Sequence, residues 1–128
     1  MWLFLDTSER GRVRYALIPR DGSIRIFNRA IERGKALASL ASFLAPKKAK
    51  TLAGICVVEG PGSFSNIRVG VLTANLLSRL LRKSLFSLKK EQSNDLEALR
   101  DALASGRLRS RSYVAPVYDQ EPNITCPT

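Results

Sequence analysis

Apolar positions come first in short runs, then in long helical stripes. Trp2 to Ser8 is apolar and turns polar at its end, the pattern of a first strand. Gly11 marks a turn. Arg12-Val13-Arg14-Tyr15-Ala16-Leu17-Ile18 alternates at its start, as a strand with one buried face does. Pro19-Arg20-Asp21-Gly22 is turn chemistry, with Asp-Gly suited to a hairpin. Ser23 to Asn28 alternates again, so three antiparallel strands are expected at the start. A helix over Ala30 to Ala45 follows. At 100° per residue Gly34, Ala38, Ala41 and Ala45 share one narrow stripe, flanked by Leu37, Leu40 and Leu44. That stripe either admits another helix at close range or packs on the chain's own sheet. Pro46 and the cluster Lys47, Lys48 and Lys50 end the helix.

Leu52 to Val58 is almost continuously apolar, as in a strand buried on both faces of a parallel sheet. It stops abruptly at Glu59-Gly60-Pro61-Gly62-Ser63-Phe64-Ser65-Asn66. Gly60 and Gly62 tolerate positive φ, Pro61 fixes its own φ, and Ser65 or Asn66 suits a helix cap. Backbone N–H groups there either cradle an anion or simply link strand to helix. A helix from Ile67 to Arg82 is predicted next. Arg68, Asn75, Arg79 and Arg82 form its narrow polar sector, while Val69, Gly70, Ala74, Leu76, Leu77, Leu80 and Leu81 make more than half of it apolar. One sheet does not need so wide a face, so the tail or a partner must cover the excess. Ser84 to Leu88 is a fifth strand. Asn94, with Glu97 three residues on, opens a helix to Ser105, and Gly106 ends it. Tyr113 to Tyr118 adds an edge strand or a covering segment, and Asp119 to Thr128 reads as loose.

Composition narrows the classes. With 128 residues, 45% of them hydrophobic, one domain with a real core is expected. No stretch reaches a membrane span, the start lacks a basic signal region, and the two cysteines suggest no disulfide framework, so a reduced cytoplasmic setting is expected. The absence of histidine removes His-based acid–base and nucleophile pairs and the usual zinc sites. Ser63 and Ser65 lack an evident base. The net charge of +10 suits a polyanion, an acidic protein partner or plain solubility.

The string Gly60-Pro61-Gly62-Ser63-Phe64, followed by Ile67-Arg68-Val69-Gly70, resembles the signature of the TsaB (YeaZ) family of bacterial tRNA threonylcarbamoyladenosine biosynthesis proteins. Ser65 and Asn66 stand where that family usually has Thr and Gly. Asp6-Thr7-Ser8 is similar to its opening Asp-Thr pair, and Pro116-Val117-Tyr118 to its closing piece. The resemblance implies an α/β fold, a single ribonuclease H-like lobe of the acetate kinase, Hsp70 and actin superfamily. It would have a mixed five-stranded sheet with helices on its faces. It covers a first lobe, 1–105, with 106–128 as covering segment and tail. The family's second lobe is expected to be missing, which disfavours a ligand held between lobes and hence a kinase or ATPase.

In that superfamily the turn after the first strand faces phosphate. Asp6 there either holds hydrated magnesium or caps its own turn, and the second is preferred because Glu59 is the only other acidic candidate. Arg68 either holds the loop carbonyls or meets an acidic group on a partner. Phe64 is expected to anchor the loop.

The resemblance implies a non-catalytic subunit that binds and activates or stabilises a TsaD-like threonylcarbamoyltransferase, alongside a TsaE-like ATPase and tRNA, with no metal. No cofactor is expected; ATP or magnesium at a partner interface is the alternative. A homodimer in the partner's absence stays open. Gly34, Ala38, Ala41, Gly70, Ala74 and Leu77 are expected at the seam. The alternative function is a basic RNA-binding module using Lys47, Lys48, Lys50, Arg79, Arg82, Lys83, Lys89, Lys90 and Arg107 to Arg111. An enzyme, hydrolase or peptidase, ranks below both.

Overall fold

The computed structural model describes residues 1–30, 40, 43–44, 49–62 and 64–117, without the side chains of 64–66. Among the described residues one mixed sheet runs in the order β3-β2-β1-β4-β5. Its strands are β1 (Trp2–Asp6), β2 (Arg12–Ile18), β3 (Arg25–Ala30), β4 (Gly54–Gly60) and β5 (Ser84–Lys89). β1 to β3 form the expected antiparallel meander, while β4 lies parallel to both β1 and β5. Helix α1 (Phe64–Leu81) connects β4 to β5 as a βαβ unit, and α2 (Leu96–Ala104) follows a short 3-10 turn over Lys90–Ser93.

Side-chain alternation explains the two cores. Leu3, Leu5, Tyr15, Ile55 and Val57 face one side, where they meet Ile67, Val71 and Ala74 of α1. Trp2, Phe4, Ala16, Cys56 and Val58 face the other, where Leu99 and Leu103 of α2 cover them. β1 and β4 therefore bury nearly every residue, which accounts for their unbroken apolar runs. β3 sits at an edge and starts two residues later than expected; its side chains are almost all exposed, so no buried face pins it to the alternating residues.

Two helix boundaries differ from expectation. α1 begins at Phe64, so Ser65 and Asn66 lie inside its first turn and not at its cap. α2 is capped by Asp95, not Asn94: one Asp95 oxygen accepts from the N–H groups of Glu97 and Ala98, each at 3.1 Å. Gly106, at φ 74°, ends α2 as expected. Most of the helix predicted over Ala30 to Ala45 lies outside the described residues; Leu40 and Phe43 from it are buried in the α1-side core.

After α2 the chain returns as a covering segment. Arg111 bridges antiparallel to Leu85, its N–H 2.6 Å from the Leu85 carbonyl. The Asn75 side chain then grips the backbone of Val114 at both ends, donating to its carbonyl and accepting from its N–H at 2.9 Å each. Val114 is buried, and the Val117 N–H reaches the Glu59 carbonyl at 2.6 Å. Asn75, placed by period in a polar sector, is thus a clamp. Asn75→Leu leaves two part-buried backbone groups unpaired and should cost about 1–3 kcal/mol in chemical denaturation. Hydrogen exchange at Val114 should accelerate; unchanged protection there would remove the clamp.

Candidate functional site

The motif residues meet where the parallel strands end. β1 runs into Asp6-Thr7-Ser8, all three buried. β4 runs into Gly60-Pro61-Gly62, and β5 into Lys89-Lys90. Alternation sends Thr7 towards α1 and Asp6 towards the 3-10 turn on the opposite face.

On the α1 side, glycine makes the contact. A Cβ on Gly70 would stand 2.1 Å from the Thr7 hydroxyl oxygen. A Cβ on Gly62 would stand 2.8 Å from both the Cα and the carbonyl oxygen of Ser8. Gly60 is the loop residue with positive φ, 129°, and a Cβ there would strike the Val117 carbonyl; the Gly60–Pro61 peptide is cis. The signature loop is therefore pressed onto the β1 turn. A small cleft beside it, of about 10 Å³, is lined by Leu5, Thr7, Tyr15, Leu40, Val69, Gly70 and Thr73. It has room for one water at most.

On the other face Asp6 caps its own turn, the preferred expectation. Its Oδ1 accepts from the Ser8 N–H at 2.9 Å and the Ser8 hydroxyl at 2.6 Å. Lys90 Nζ lies 2.9 Å from Asp6 Oδ2 and 2.7 Å from Ser8 Oγ. Arg14 stands 3.5 Å from Asp6 Oδ2, its guanidinium over the Phe4 ring and hydrogen-bonded to the Ser93 carbonyl. Burial by itself would raise the Asp6 pKa; the hydrogen bonds from the Ser8 hydroxyl, Lys90 and the Ser8 N–H outweigh it and hold the carboxyl below its ordinary value. Glu59 is turned to β5 instead, accepting from the Ser87 hydroxyl at 2.7 Å. No group of three or more His, Cys, Asp or Glu side chains able to hold a metal occurs among the described residues.

The α1 residues expected at the seam face inward. Gly70 and Ala74 are buried against their own chain, and Leu77 packs on the α1-side core. Their phase turns them to the sheet, where small residues let α1 lie close to Thr7. The outward row is instead Val69, Leu72, Leu76 and Leu80, exposed by 43%, 65%, 56% and 71%. Arg68 and Arg79 are exposed beside it. Gly34, Ala38 and Ala41 lie outside the described residues, as do Ser63 and the Phe64 side chain. Sequence reading missed Asn75 and Arg14 as site residues, and it set Lys90 among cations for RNA phosphates and not beside Asp6. Lys90 lies 84 positions from Asp6, and no local pattern signals that pairing.

No family model and no curated protein matches the chain. Among solved structures it is similar to YeaZ from Pseudomonas aeruginosa, with a TM-score of 0.62 and 21% identity. A second similar structure, with the same values, is an uncharacterized protein with similarity to peptidase YeaZ from Pseudomonas aeruginosa. Each match covers 82% of this chain and 49% of the other, so this chain spans about half the length of those proteins. The likeness establishes the ribonuclease H-like fold.

Gly70→Ala should destabilise the domain by about 1–3 kcal/mol through overpacking. Thr7→Ala should recover part of that loss in a double-mutant cycle, and strict additivity would remove the contact. Because the Asp6 pKa is depressed on folding, its contribution is complete above the ordinary carboxylate pKa. It is lost as pH falls through the folded value. Asp6→Asn should therefore flatten the acid limb of a stability–pH curve; parallel acid limbs would show Asp6 unlinked to folding.

Proposed function

We propose that this chain is a non-catalytic, TsaB-like subunit that pairs with a TsaD-like transferase in tRNA threonylcarbamoyladenosine formation. The observation that carries this reading is the outward row of α1. Val69, Leu72, Leu76 and Leu80 expose a long apolar face on a helix whose other sides are already packed. An exposed row of this kind marks a docking surface. The fold likeness to YeaZ supports the class of partner. Arg68 and Arg79 at the edge favour an apolar partner helix with acidic residues at its rim. A cytoplasmic setting agrees with Cys56, a buried free thiol whose pKa burial pushes up. No helix among the described residues is long and apolar enough to cross a membrane.

One observation favours a second reading, direct RNA contact. The bridge sets Arg111 opposite Leu85, two residues beyond Lys83, and the chain has no acidic residue in 61–90 or 102–117. Arg82, Lys83, Arg109 and Arg111 thus form a strip of one sign, suited to phosphates. Lys90, engaged with Asp6, is not part of it.

Size-exclusion chromatography with light scattering, on this chain mixed with TsaD from the same organism, tests the first reading. A one-to-one species is expected. Leu76→Glu should abolish it while leaving the unfolding midpoint nearly unchanged; retained pairing would move the seam elsewhere. For the second reading, Arg109→Glu with Arg111→Glu should weaken RNA binding at low salt and reduce the salt slope by about 2. An unchanged slope would exclude the strip.

A further inference from the structure

The fold family implies a divalent metal and a nucleotide phosphate at the turn after β1. The residues present do not fit them. Magnesium needs several oxygen ligands in near-octahedral array and is usually held by one or two carboxylates. Asp6 is the carboxylate available, and both its oxygens are engaged: Oδ1 by two donors from Ser8, Oδ2 by Lys90 at 2.9 Å. The Ser8 hydroxyl, the other oxygen near that spot, also accepts from Lys90, at 2.7 Å. Glu59 is bonded to Ser87 and supplies no second carboxylate. Arg14 adds another positive charge 3.5 Å from Asp6, so a metal would enter beside two cations and one anion. The phosphate side is closed as well, because Gly62 packs on the main chain of Ser8 with no room for even a Cβ.

We propose that the Lys90 ammonium is the resident cation of the β1 turn, standing where the fold family places a metal, and that this chain holds no divalent metal or metal–nucleotide there. Lys90 opens the 3-10 turn directly after β5, so its bond to Asp6 also ties the end of β5 to the end of β1 across β4. The turn becomes a fixed structural joint. This inference does not depend on the partner reading above.

The test uses Mn²⁺ as a paramagnetic probe with amide NMR of the intact chain. In the wild type, millimolar Mn²⁺ should leave the amides of Asp6, Thr7 and Ser8 unbroadened, with or without ATP. Broadening that Asp6→Asn abolishes would overturn the proposal. Lys90→Met removes the charge and keeps the stem. In this variant the Asp6 carboxyl pKa, followed by carbon NMR, should rise. An unshifted Asp6 pKa would show that Lys90 is not its counterion. Lys90→Arg should behave as the wild type; Mn²⁺ broadening of the turn in that variant would also count against the proposal. If Lys90→Met fails to fold, the wild-type and Asp6→Asn titrations still decide whether metal binds.

Discussion

The close approach of two backbones at the end of β1 is the constraint on which the rest of the structure depends. Gly62 lets the loop after β4 lie on Ser8, and Gly70 lets α1 lie on Thr7. These contacts set the height and tilt of α1 over the sheet. They also explain why the motif needs glycine at two positions for closeness and at a third, Gly60, for left-handed φ. Its glycines are used up in contact with the chain itself.

With α1 fixed, its surroundings follow. Ile67, Val71 and Ala74 meet the sheet, and Asn75 meets the returning segment at Val114. The row Val69, Leu72, Leu76 and Leu80 is left outward. The covering segment thus takes up part of the helix's wide apolar face, and the proposed partner takes the rest. The same geometry separates two kinds of small residue. Gly70 and Ala74 serve closeness inside the chain, and the surface offered to a partner is made of larger side chains.

Charge is divided in a related way. Around Asp6 the cations Lys90 and Arg14 are paired and partly buried, and they hold the turn. Along the end of α1 and the start of β5 the cations have no acidic residue near them in sequence; Arg79 and Arg82 stay exposed and Lys83 is half-buried. A net charge of +10 therefore contains an internal, structural share and an external share available for recognition.

The sequence by itself determined the order of the strands and of the two described helices, the meander, the parallel burial of β4 and the signature loop. These depend on local periodicity and on Gly, Pro and Asp at turns, which any short window displays. It also determined that histidine chemistry is absent. Only the tertiary structure decided which way α1 faces. An apolar sector wider than one sheet requires has no unique phase until the Thr7–Gly70 contact selects it. The boundary at Asp95 likewise depended on which side chain reached the free N–H groups. The pairing of Asp6 with Lys90, and of Asn75 with Val114, joins residues far apart in the chain. Such contacts exist only once β5 lies beside β4 and the final segment crosses α1, so no local pattern could carry them.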